Sequence, residues 1–185
     1  MSFPRYSKYK ASGVEWLGEV PEHWTITSLG RVTLDKCDGP FGSGLKSEHY
    51  VYAGVRVIRL QNIRGSGFDN SDEVFIENAY FHAELKRHEV RQNDVLIAGL
   101  GDDRNTVGRA CVAPPSIEPA LVKADCFRFR LDNIKACPKF VSLQLTSGSD
   151  ADAGTLASGS TRSRIPLSVM ASRRLVHSVS NGLPL

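Results

Sequence analysis

Arginine, lysine, asparagine and glutamine recur with glycine in four polar stretches of the chain, at 38–49, 61–70, 99–109 and 158–164. Within them Lys46, Gln61, Asn62, Arg64, Arg104, Asn105, Arg109, Arg162 and Arg164 carry the cationic and hydrogen-bonding groups. Arginine is a bidentate donor suited to guanine O6 and N7, and asparagine or glutamine both donates and accepts, as adenine N6 and N7 require. Lysine and arginine also neutralise phosphates, and glycine lets the backbone approach them. Ordinary surface loops are polar and glycine-rich as well, because of their turn geometry. Residue types alone therefore leave nucleic-acid contact beside a purely structural reading.

Other chemistry has weaker support. Glu84-Leu85-Lys86, with Asp69 or Asp72 upstream, has the E-x-K spacing of a small metal-dependent nuclease. It falls in a predicted helix rather than a strand, where such a triplet is an ordinary exposed face. Gly39-Pro40-Phe41-Gly42-Ser43-Gly44 is a poor dinucleotide fingerprint, since Pro40 interrupts it and no clear strand is predicted before it. The spacing of a phosphate-binding G-x-x-x-x-G-K-[ST] loop is absent. The five histidines, at 23, 49, 82, 88 and 177, form no ligand pattern. Asp102-Asp103 reads as a solvated turn, with magnesium binding or acceptance from a cytosine amino group as the functional alternatives. Cys37, Cys111, Cys126 and Cys137 make no C-x-x-C pair, so they are expected to be free thiols and not a zinc site.

The elements that must carry these loops can be read from periodicity. Residues 1–25 hold Trp16, Leu17 and Trp24 without a clean period and read as an N-terminal arm packed on the domain. Ile26, Leu29, Val32 and Leu34 mark a first element, helix or strand. Strands are predicted at Val55–Leu60, at Val95–Ala98 and just before Pro114. Phe127, Phe129 and Leu131 alternate with Arg128 and Arg130, predicting a half-buried strand with a basic outer face. Helices are predicted over 79–88, capped by Asn78, and from Pro138 through Leu145. Ser168 is placed at the cap of a last short helix, followed by a strand at Leu175-Val176. The unordered mixture of helices and strands predicts an α+β (mixed α/β) fold, with a mixed β-sheet, flanking helices and long loops. The domain is expected to occupy 26–176, leaving 177–185 as a tail.

Composition bounds the class. The 185 residues are 41% hydrophobic and 23% charged, which suits one globular domain. The net charge is only +3, so any nucleic-acid surface must concentrate its positive charge on one face. The first residues contain no apolar signal segment, and no run of about 18 apolar residues exists, so a cytoplasmic protein without a membrane span is expected.

Taken in order, five segments carry a family resemblance. They are Lys10 to Trp24 (KASGVEWLGEVPEHW), Asp38-Gly39-Pro40-Phe41-Gly42-Ser43, Val57-Ile58-Arg59-Leu60-Gln61-Asn62-Ile63, Asp94 to Ala98 with Gly99-Leu100-Gly101 and Gly108-Arg109-Ala110, and Gly159-Ser160-Thr161-Arg162-Ser163-Arg164-Ile165. Together they resemble the specificity subunits of type I restriction-modification systems. The resemblance implies a single, non-catalytic target-recognition domain that reads one half of a split site in double-stranded DNA. It implies as partners a methylation subunit, which would carry S-adenosylmethionine and methylate adenine after flipping the base. A motor–nuclease subunit, with ATP and magnesium, is the other implied partner. No cofactor is expected on this chain. The family's spacer helix and second recognition domain have no counterpart here, so a half-length subunit or a fragment is expected, with a second half-subunit as a further partner. The four loops are the expected DNA contacts. The recurrence of the Gly-Ser-Thr-Arg segment in the family favours a phosphate or structural role for Arg162 and Arg164. Beside this reading stand the nuclease using Glu84 and Lys86, and an interaction fragment that does not read DNA.

Overall fold

The structure is a computed structural model that describes residues 6–102, 104–148 and 163–178. Two sheets packed face to face form its centre. One has four antiparallel strands in the order Ala110–Val112, Val95–Ala98, Cys126–Leu131 and Thr33–Asp38. The other has five, in the order Glu89–Val90, Ala120–Val122, Val55–Ile58, Phe75–Ile76 and Tyr50–Val51. Ala120–Val122 runs parallel to Val55–Ile58, and the other pairings are antiparallel, so this sheet is mixed.

The short apolar strands have both faces covered, and side-chain alternation shows where each face goes. Val95 and Ile97 enter a core with Phe127, Phe129, Val141, Leu145, Met170 and Leu175, whereas Leu96 and Ala98 enter the core between the sheets. In the second sheet Ile58, Ala120 and Val122 face that central core. Val55, Val57 and Leu121 face outward onto Phe81 and Leu85. The layers are therefore helix, sheet, sheet, helix, which is the α+β class expected from the sequence.

The outer layers also match the predicted helices. Residues 78–88 form one irregular helical run, α-helical at Asn78–Tyr80, π-helical at Phe81–Leu85 and 3₁₀ at Lys86–His88. Its N-cap is Glu77 rather than Asn78. The helix Pro138–Gly148 starts at its proline, where a missing N–H costs nothing. The last helix, Leu167–Ser172, is capped by Pro166 rather than Ser168, and the strand Arg174–Ser178 pairs with Trp24–Ser28. Trp24 meets Phe140 edge-on at 5.5 Å, which ties that strand pair to the Pro138–Gly148 helix. No helix among the described residues is long and apolar enough to cross a membrane. All four cysteines are free, and Cys111 and Cys126 lie in the core. Burial pushes the Cys111 thiol up to about 12.

One expectation is overturned here. Arg128 and Arg130 do not make a basic outer face. Arg128 is 2% exposed and donates to Asp35 at 2.7 Å, and Arg130 forms a two-point pair with the buried Asp94 at 2.9 Å each. The opposing carboxylates come from a neighbouring strand and a turn, which no local pattern in the strand itself reports.

Candidate nucleic-acid interface

Two adjoining cavities lie where the polar loops meet. Among the described residues, one of about 280 Å³ is lined by Leu60, Gln61, Arg64, Leu100, Gly101, Asp102, Asn105 and Arg109. The other, of about 290 Å³, shares Arg64, Asn105 and Arg109 and adds Gly65, Ser66, Arg104, Thr106 and Thr146. Loops 61–70 and 99–109, distant in sequence, thus form one polar cleft.

Backbone pairing places the cleft walls. Ile63–Arg64 pairs with Gly67–Phe68 as a tight hairpin that projects Arg64. Leu100–Gly101 pairs with Ser163–Arg164, bringing Arg164 to the same rim. Gly101 allows the loop to fold back on itself, since a Cβ there would stand 2.3 Å from the Val107 nitrogen. Asp102 organises the turn: its Oδ1 accepts from the backbone N–H groups of Arg104 at 2.9 Å and Asn105 at 2.8 Å. The Arg104 N–H, then the Asn105 side chain and the Asn105 N–H, hold the Asp102 carboxyl below its ordinary range. Asp102 is thus the turn residue of the sequence reading.

The residues named from sequence fall in different places. Gln61 and Arg104 are exposed, and Arg64 and Asn105 half-buried, at the cleft. Arg164, also exposed, lies 2.8 Å from Asp125 and 5.0 Å above the Phe41 ring. That contact joins loop 38–49 to the same rim. Lys46 sits beside Glu48 at 3.7 Å and is not among the cleft-lining residues. Arg162 lies outside the described residues.

The structure places Asn62 and Arg109 inside the fold, bonded to backbone. Asn62 is fully buried; its Nδ2 donates to the carbonyls of Asp69 and Asp72 at 2.9 Å each, and its Oδ1 accepts from the Arg59 N–H at 2.9 Å. Arg109 is 7% exposed and donates to the carbonyl oxygens of Ile63, Leu60, Leu100, Asn105 and Thr106. Burial, followed by the nearby Arg64 charge, draws its pKa down. A side chain spent on backbone carbonyls has little left for a base edge.

Sequence reasoning missed Phe41 as a platform for Arg164 and Asp69 as a partner of Arg64, 3.5 Å away. The Phe41–Arg164 pair joins distant parts of the chain and has no local signal, whereas Asp69 lies five residues from Arg64 in the same loop, where opposite charges at that spacing were the available signal. The nuclease set does not assemble. Lys86 pairs with Glu89, Asp72 with Arg59, and Asp69 with Ser71 and Arg64. No group of three or more histidine, cysteine, aspartate or glutamate residues among the described ones could hold a metal. The strand Thr33–Asp38 does precede the glycine loop, contrary to expectation. It leads into a 3₁₀ turn at Gly42–Gly44 and not into the α-helix that a dinucleotide site requires.

No family model and no curated protein matches the sequence. Solved structures do match the fold. The type I restriction-modification system S subunit from M. genitalium superposes over 85% of this chain with a TM-score of 0.55 at 14% identity. The HsdS subunit from Thermoanaerobacter tengcongensis does so over 85% at 0.56 and 14%. A structure concerned with complex assembly and conformational transition of the type I R-M system gives 0.60 over 85%, again at 14%. The chain covers 35%, 34% and 34% of those chains, about a third of each. Its α+β architecture is the fold found in type I restriction-modification specificity subunits.

Proposed function

We propose that this chain is a DNA target-recognition domain, reading one half of a bipartite site as the specificity component of a type I restriction-modification assembly. It recognises sequence and performs no chemistry. The observation that carries this reading is the convergence of Gln61, Arg64, Arg104 and Asn105, from two loops distant in sequence, on one cleft of a domain with the specificity-subunit fold, with Arg164 beside it through its strand pairing with the cleft residue Leu100. A cleft lined by arginine, asparagine and glutamine is chemically matched to base edges flanked by phosphates. With a net charge of only +3, such local concentration of cations is what binding requires.

Adenine methylation and DNA cleavage belong, in this reading, to a methylation subunit and a motor–nuclease subunit, together with their S-adenosylmethionine, ATP and magnesium. The neighbour described for type I R-M complex assembly supports the existence of such partners. The 185-residue chain, presented at low salt with random duplexes, is expected to enrich a motif of three or four base pairs. Binding with steep salt dependence but no enrichment would reduce the function to phosphate contact. Absence of binding would leave an interaction fragment.

A further inference from the structure

We infer that Arg64 reads a guanine in the major groove, with Asn105 as the positioning residue that sets its plane; this rests on the recognition reading above. Arg64 stands in the wall common to both cavities, with 40% of its side chain exposed. Its guanidinium is held at two points. Asp69 Oδ2 faces Nε at 3.5 Å, and Asn105 Oδ1 accepts from Nη1 at 2.9 Å.

Both holders are themselves anchored. Asp69 Oδ1 accepts from the Ser71 hydroxyl at 2.6 Å and the Ser71 N–H at 2.9 Å. The Asn105 amide nitrogen donates to Asp102 Oδ1 at 3.1 Å, which orients the amide so that its oxygen meets Arg64. The chain Asp102–Asn105–Arg64–Asp69–Ser71 therefore sets the guanidinium before any ligand arrives.

A guanidinium has five N–H donors in a rigid planar fork. With one donor at Nε and one at Nη1 engaged, the Nη2 group and the second Nη1 proton have no hydrogen-bond partner among the described residues. Two parallel N–H groups at the end of a fork match guanine O6 and N7. An arginine fork can engage a phosphate in the same bidentate way, so the mark of base reading is that affinity depends on the nucleotide at one position. Orientation in advance also lowers the side-chain entropy lost on binding. The other described arginines at the cleft are disposed differently. Arg109 is consumed by carbonyls, Arg164 faces Asp125, and Arg104 is exposed on a turn.

The test is competition binding by the full chain at low salt, using the selected duplex and its single-base variants, with 7-deazaguanine as a probe of N7. Wild type is expected to prefer guanine at one position by roughly tenfold or more, and to lose much of that preference on 7-deaza substitution. Arg64→Ala and Arg64→Lys should lose the preference at that position alone. Asn105→Ala should weaken it there while leaving the rest of the motif intact, which a general loss of folding would not do. A motif unchanged by Arg64→Ala overturns the inference and leaves DNA recognition standing, and so does uniform weakening of every duplex. If wild type selects no motif, the recognition reading falls and this inference falls with it.

Discussion

Arg109 donates its Nε–H to the carbonyl oxygen of Ile63 at 2.8 Å, joining two loops 46 positions apart in sequence. The same side chain reaches Leu60 at 2.9 Å and Thr106 at 3.0 Å. It is therefore the internal strut of the cleft that Arg64 and Asn105 line. Arg109→Ala leaves several buried carbonyls without donors and a void between the loops, at a cost of about 3 kcal/mol. Urea unfolding checks this. Unchanged stability with reduced DNA affinity would return Arg109 to the DNA-contacting set.

Asp94 is the hub of the buried charge network. It is 1% exposed, pairs with Arg130 at 2.9 Å and lies 4.0 Å from the buried Arg128. Asp35, on the other side of Arg128, is 56% exposed. Removing a buried partner strands a cation, whereas removing an exposed one lets water replace it. Asp94→Ala is expected to cost about 3–5 kcal/mol, and Asp35→Ala about 1 kcal/mol or less. Thermal unfolding of the two variants gives the comparison, and equal losses would contradict it.

Asp38 supplies a pH signature. Burial is the largest influence on its carboxyl, and the neighbouring Asp125 carboxylate adds to it; the backbone N–H groups of Gly39 and Asp125 act the other way. Its pKa rises from 3.8 to about 6. Between those values the folded chain holds a proton that the unfolded chain has released, so this group's contribution to stability falls as pH rises through that window. Asp38→Asn keeps the oxygen that accepts from Gly39 at 2.7 Å and from Asp125 at 3.1 Å. It should stabilise the fold by roughly 1 kcal/mol at pH 7, allowing for solvent screening of a half-buried group, and have no effect near pH 3. Unfolding curves at the two pH values test the sign.

Arg104 is exposed on the turn organised by Asp102, without the two-sided hold that Arg64 has. It suits a phosphate contact. Arg104→Ala should weaken binding to all duplexes alike and reduce the slope of log affinity against log salt by about 1, leaving the selected motif unchanged. A salt titration of wild type and variant measures it, and a changed motif would make Arg104 a base reader instead.

Much of the scaffold was legible in advance. Short apolar runs such as Val95–Ala98 became strands, Pro138 opened a helix, and the α+β class followed from their mixture. The exact caps moved, by one residue to Glu77 and by two to Pro166, because capping depends on where the preceding strand delivers the chain. The loops at 61–70 and 99–109 were also legible as polar and glycine-rich, and the structure brings them together through Arg64 and Asn105. Arg128 and Arg130 misled, because alternation reports which side a residue faces but not what carboxylate lies there.

By itself, then, the sequence determined the elements, the class of fold and the supply of base-matching side chains, since periodicity and turn chemistry act over a few residues. Only the tertiary structure decided which of those side chains stay available. Asn62 and Arg109 have the same residue chemistry as Asn105 and Arg64, yet the first pair is buried on backbone carbonyls while the second lines an open cleft. The difference is made by carbonyls and carboxylates brought in from elsewhere in the chain. A donor's fate in a folded protein depends on which acceptors reach it before a ligand can.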